Sequence, residues 1–207
     1  EGATNNTINH LTVKNASIGL LIQNTNGPDV SIKNTQIYNS THYGIFAQNG
    51  KITAENLVIN NAGEAALGCV YGGNYTFAHC TFNNNWNSSK QVAVLLNNYI
   101  DTETTRYVSD LNVANFNNCI IYGSNQNELF LDKKTGLGVV FHYKFNHCLI
   151  KFNNTNNNVL YLPTNTTDFV GCWAANNSTI YNPKFKNISA NKLWLSEAWN
   201  TSLINDP

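Results

Sequence analysis

A six-residue signature constrains this chain more than any other feature: Asn or His, two residues, a hydrophobe, one residue, then usually Asn. It recurs as His10-Val13-Asn15, Asn34-Ile37-Asn39, Asn56-Ile59-Asn61, His79-Phe82-Asn84, Asn118-Ile121-Gly123, His147-Ile150-Phe152 and Asn177-Ile180-Asn182. The hydrophobes stand 24, 22, 23, 39, 29 and 30 residues apart, so the unit is 22–24 residues with insertions in three later copies. A repeat of this length is one supersecondary unit that buries its apolar face only against its neighbours.

Each copy holds three short segments that alternate with period two, the strand signal. A first set precedes the Asn/His: Val30/Ile32, Ile52/Ala54, Tyr75/Phe77, Ala114/Phe116, Tyr143/Phe145 and Trp173/Ala175. A second set follows it, from Leu11/Val13, Thr35/Ile37 and Leu57/Ile59 through Cys80/Phe82, Cys119/Ile121 and Cys148/Ile150 to Ser178/Ile180. The third comprises Leu20/Ile22, Ile45/Ala47, Leu67/Cys69, Val94/Leu96, Leu129/Leu131, Leu160/Leu162 and Leu193/Leu195. Three strands per turn predict an all-β solenoid, a parallel β-helix of about seven coils whose strands stack into three parallel sheets. The pairs point inward, no room is left for helices, and loops fall at 83–91, 97–110 and 163–172. The whole of 1–207 then forms one domain.

The Asn/His position is expected at a sharp corner between the second-sheet and third-sheet strands. Asn and His are enriched in the left-handed backbone region that such a corner wants. Stacked coil on coil, their side chains would bond along the corner as an asparagine ladder, which gives a role to 39 Asn residues. On the same logic His10, His79 and His147 are corner residues rather than a metal or catalytic cluster. Cys80, Cys119 and Cys148 share one inward slot and are expected as free, buried thiols.

Charge bounds the function. Twelve basic and 12 acidic side chains leave the chain formally neutral, and Arg106 is the one arginine. That argues against an electrostatic nucleic-acid binder, which needs a basic face. No apolar run approaches the ~20 residues of a transmembrane helix. A start at Glu1-Gly2 without Met reads as a piece of a longer precursor carrying a secretion signal, and the tail around Trp199 and Ile204 is expected to cap one end of the stack. Triplets such as Asn15-Ala16-Ser17 and Asn74-Tyr75-Thr76 are mostly what this composition yields by chance.

The run from Val30-Ser31-Ile32 to Asn39, followed by Gly44-Ile45-Phe46-Ala47, resembles the right-handed parallel β-helix repeat family. The tail Asn182-Pro183-Lys184-Phe185, then Leu193-Trp194-Leu195, then Ser202-Leu203-Ile204-Asn205, is similar to the closing segment of secreted bacterial surface proteins of that kind. The resemblance implies a right-handed coil and an extracellular or cell-surface setting. Its known activities range from polysaccharide lyases and glycoside hydrolases to adhesin-like structural modules, so it is silent on which applies.

The outward slots of the third sheet read Leu21, Phe46, Gly68, Leu95, Phe130, Tyr161 and Trp194, an apolar and increasingly aromatic stripe. Insertions around Trp86 and Tyr99, or further chain, would cover it; otherwise a sugar chain would stack along it or another protein would dock there. The carbohydrate-binding candidates are Phe46, Phe130, Tyr161 and Trp194, with Asp132 and Asn97 two residues along the same face. The densest charge is Asp101, Glu103, Arg106 and Asp110 with Asp132 and Lys133, expected as a solvated loop, and Lys33 with Glu55 as a cross-strand ion pair. No neighbouring carboxylates of the hydrolase kind stand out. The leading expectation is a non-catalytic extracellular module, carbohydrate-binding or structural, with no cofactor or metal; a polysaccharide lyase or glycoside hydrolase using the 97–110 loop is the alternative.

Overall fold

A computed structural model describes residues 5–23, 29–135, 138–175 and 181–195. The described residues are all-β, and their strands pair in parallel over one large sheet that curls around a continuous core. Three files of inward side chains explain the curl. Ile8, Ile32, Ala54, Phe77, Phe116, Phe145 and Phe169 stand in register from strand to strand. Val13, Ile37, Ile59, Phe82, Ile121, Ile150 and Ala174 form a second file. Leu20, Ile45, Leu67, Val94 and Leu129 form the third. Nearly every side chain in the three files from Ile32 on is buried. Rings stack within the first: Phe77 on Phe116 at 5.0 Å, Phe116 on Phe145 at 4.8 Å and Phe145 on Phe169 at 4.8 Å. Offset stacking adds to the burial of large apolar area.

The corners have a backbone cause. His10, Asn34, Asn56, His79, Asn118 and His147 all take φ between 48° and 55°, and Asn15, Asn39 and Asn61 between 57° and 59°. The first group stands between the first and second strand sets, not between the second and third as the spacing suggested; the second group follows the second set. Amide side chains bond between neighbouring repeats: Asn56 donates to Asn34 at 2.8 Å, Asn34 to Asn9 at 3.1 Å, and Asn61 to Asn39 at 3.2 Å. The exposed Lys33 and Glu55 pair at 3.1 Å, as expected.

The seventh repeat is displaced from its expected place. Phe169 pairs with Phe145 and Ala174 with Ile150, so the copy runs through Cys172 rather than Asn177-Ile180. Asn177, Ser178 and Ile180 lie outside the described residues, as do Trp199 and Ile204. Gly171 at φ 59° takes the corner that His147 takes one repeat earlier. Cys172 thereby joins Cys80, Cys119 and Cys148 in one slot, all with free thiols. Trp173, expected inward, is 38% exposed because it stands in register with Leu149, in an outward slot of the second set, whereas Ala175 is buried as expected. Leu11, also expected inward, is exposed in the first described repeat.

The third set departs most. Leu160 to Leu162 forms no strand; residues 153–168 run as turns. Lys192–Leu195 pairs antiparallel with Phe185–Asn187 instead of joining the parallel sheet. That hairpin lies over the outward face of the second set: Asn60 Nδ2 donates to Ile188 O at 3.2 Å and to Asn191 Oδ1 at 2.7 Å, and Phe185 meets Tyr122 edge-on at 6.4 Å. Tyr38, Asn60, Asn83 and Tyr122 are accordingly buried.

Candidate functional site

The register Leu21, Phe46, Gly68, Leu95, Phe130 confirms five neighbouring outward slots. The stripe is not uniform. Tyr43 packs on Phe46 with ring centroids 4.7 Å apart, and its ring fills the space in front of Gly68, where a Cβ would stand 2.9 Å from it. Glu64 accepts a hydrogen bond from Tyr43 and a second from His42, at 2.7 Å, and its carboxylate is held below the usual range. Phe46 is therefore half covered, whereas Phe130 is 50% exposed.

Tyr161 does not continue the stripe. It is buried, stacked face to face on Phe152 at 4.0 Å, and its hydroxyl accepts the Leu131 amide at 2.6 Å. Burial pushes this phenol up to about 12. The strand Leu129–Asp132 is the last of the third set, and Tyr161 satisfies the edge that a further strand would otherwise pair. Trp194 lies in the antiparallel hairpin, outside the parallel stripe, and its side chain is outside the described residues.

Asn97 and Asp132 are register partners, as the sequence implied. Both are already engaged. Asn97 Oδ1 accepts the Tyr71 amide at 2.9 Å. Asp132 accepts from the Tyr99 hydroxyl and from Lys134 Nζ at 3.4 Å. The Tyr99 ring in turn lies beneath Lys134 Nζ at 4.8 Å and the Arg106 guanidinium at 5.1 Å, a double cation–π contact. The hydrogen bond to Asp132 pushes the Tyr99 phenol up to about 12. Tyr99–Asp101 and Arg106–Val108 form an antiparallel hairpin, closed by a bidentate bond from Arg106 to Asp101 at 2.5 and 2.9 Å. Asp110 accepts the Val140 amide at 3.0 Å. The charges of the 97–110 loop are thus largely committed within the loop and its neighbour, and no group of three or more His, Cys, Asp or Glu fit for a metal ion occurs among the described residues.

A hollow of about 230 Å³ opens beside Phe130, walled by Asn127, Phe152 and the segment 153–158. No charged side chain lines it. The segment is held in place by its own amides: Asn158 N donates to Asn154 Oδ1 at 2.8 Å, Asn154 Nδ2 to Asn158 O at 3.0 Å, and Asn153 N to Asn127 Oδ1 at 2.8 Å. Among the described residues the side chains of Asn153, Thr155 and Asn156 carry no hydrogen bond, so they offer donors and acceptors at the rim of an exposed ring. Of the six candidates, the structure brings Phe130 and Tyr161 to this hollow, Tyr161 in its wall rather than as a stacking face.

No family profile, curated protein or solved structure matches the chain.

Sequence reasoning missed a second polar centre. Glu128 is fully buried; its Oε1 accepts the Asn125 amide at 2.7 Å, and Oε2 has no hydrogen-bond partner. Burial pushes its carboxyl up to about 8, against the opposing pull of the Asn125 amide and the Lys151 ammonium. Desolvation moves Lys151 down while its Nζ donates to Gly123 O at 2.6 Å. Gln91, also buried, ties Ser88 and Ser124 together nearby. Alternation around Leu129 would turn Glu128 outward, so its only local signal was misleading.

Proposed function

We propose that the chain is a right-handed parallel β-helix of about seven coils, serving as a non-catalytic extracellular or cell-surface module that binds uncharged carbohydrate. Seven residues in each of two inward files, at repeat-length spacing, support the coil count. Left-handed Asn corners with cross-coil amide bonds support a ladder reading. The observation that carries the binding reading is Phe130: a half-exposed ring in a hollow whose remaining polar side chains are Asn and Thr. An apolar ring face suits the C–H face of a pyranose, and surrounding amides suit its hydroxyls. A cleft without charge favours neutral sugars, since an ionic group would enter without a partner.

The test is a panel of neutral and acidic polysaccharides, scored both for binding and for release of reducing ends or unsaturated products. Phe130→Ala should reduce binding of a neutral glycan at least tenfold while the far-UV spectrum and Tm stay as in the parent. Robust turnover of any polymer would instead make the chain an enzyme, and unchanged binding by Phe130→Ala would remove the hollow as the site.

A further inference from the structure

We propose that the outward face of the first strand set carries a second binding groove, for a neutral polysaccharide strand lying across the coils. This rests on different residues from the Phe130 hollow and stands without it. Two hollows of about 350 and 310 Å³ meet at Val113 on this face. Register orders their walls: Lys51 beside Asn74, Asn74 beside Val113, Thr76 beside Asn115, and Asn115 beside Lys144. Asp29 precedes Val30, one strand outside Lys51, and Asp168 precedes Phe169, one strand beyond Lys144. Neighbouring strands lie about 4.8 Å apart, so the five steps from Asp29 to Asp168 span about 24 Å.

The two ends of that line carry like charges, and His142 also lines the second hollow. Each end has one carboxylate next to one ammonium, and each carboxylate is already tethered: Asp29 by the Thr53 hydroxyl at 2.6 Å, Asp168 by Asn165 Nδ2 at 2.9 Å. With opposite charges side by side at both ends, little net field reaches the centre. The centre offers Asn74, Thr76 and Asn115, all hydrogen-bonding and uncharged. Tyr75 and Tyr143 touch the groove but are buried, so they give it a floor rather than stacking faces. A groove of this shape and polarity fits a chain of hydroxyls repeating at about one sugar unit per coil. An anionic polymer would gain little from it, and an apolar peptide less.

The experiment is an NMR titration of the full chain with neutral oligosaccharides of two to six units from the xylan, cellulose and mannan series. One series should shift the amides of Thr76 and Asn115, with affinity rising until about five units and changing less than twofold between low and high salt. The double variant Thr76→Ala/Asn115→Ala should weaken that series at least tenfold at unchanged Tm, while Phe130→Ala leaves those shifts in place. Should the double variant lose stability, the shift map of the parent protein decides alone. Shifts confined to Phe130 and Asn153–Asn156 would overturn the groove and leave the other reading standing. Binding of acidic chains only, with steep salt dependence, would overturn it too, as would no shift with any neutral series.

Discussion

The Tyr161 hydroxyl accepts the Leu131 backbone amide at 2.6 Å, the place where the carbonyl of a next strand would stand along Leu129–Asp132. A sheet edge leaves a row of unpaired amides, and here one side chain from a turn meets it. Tyr161→Phe keeps the stack on Phe152 but leaves the Leu131 amide buried without a partner. The expected cost is about 1–3 kcal/mol, read as a lower urea midpoint with an unchanged slope. Equal midpoints would show that the hydroxyl does not serve this edge.

Glu128 makes stability depend on pH in an unusual direction. Burial disfavours the anion and pushes the carboxyl up to about 8 in the folded chain, from an ordinary 4.5. A raised folded value means the folded state binds the proton more tightly, so this contribution is complete below about pH 4.5 and is lost as pH rises towards 8. Each pKa unit is worth about 1.4 kcal/mol, so the loss amounts to a few kcal/mol at most. Facing charges are few: Lys151 is the cation that opposes the shift. Glu128→Gln removes the titration, and its urea midpoint should be flatter than the parent's between pH 5 and 8.5. A parent midpoint that rises over this range would refute the assignment.

Gly123 is required by the same carboxyl. A Cβ there would stand 2.2 Å from Glu128 Oε1 and 2.3 Å from the Asn84 carbonyl, and the second of these is backbone that has little room to move. Gly123→Ala should lower Tm by several degrees, through strain of about 1–3 kcal/mol. Combining it with Glu128→Ala should recover only the part due to the carboxyl, because the Asn84 carbonyl remains. Full recovery would mean that the backbone contact is harmless.

What the sequence makes legible is set by how local each signal is. The inward files from Val30 to Leu131 follow from alternation and period alone, because each side chain's fate depends on the strand it sits in. Even the odd members, Thr35, Cys69, Cys80, Cys119 and Cys148, fall where the spacing puts them. The failures share a cause. Leu160-Tyr161-Leu162 alternates like a strand, yet the Asn-rich run before it closes turns on its own amides and Pro163 lacks a donor. Leu193-Trp194-Leu195 alternates because it pairs within a local hairpin. The copy at Gly171-Cys172 was missed because its corner is glycine rather than Asn or His. At the candidate site Phe130 was legible, but the hollow beside it depends on where the 153–158 segment folds, and the burial of Glu128 depends on three separate segments meeting.

The covering of the second strand set rests on amides as well as on the Phe185–Tyr122 contact. Asn83 Nδ2 donates to Asn60 Oδ1 at 2.6 Å, and Asn60 in turn donates to Asn191 Oδ1 at 2.7 Å, so one file of amides links two neighbouring strands to the hairpin of Phe185–Asn187 and Lys192–Leu195. Replacing the middle member removes the bond on either side. Asn60→Ala should therefore cost more than one exposed hydrogen bond, about 2–4 kcal/mol for two partners left in a buried setting. The loss should be local in the first instance: amide exchange in 185–193 should quicken well before that of Phe77 or Phe116, whose stacked rings do not touch the hairpin. Tyr122 should become more accessible at the same time, because Phe185 no longer rests on it. Uniform acceleration across the whole chain would show that the hairpin is integral to the stack, and no acceleration at all would show that its hold lies elsewhere.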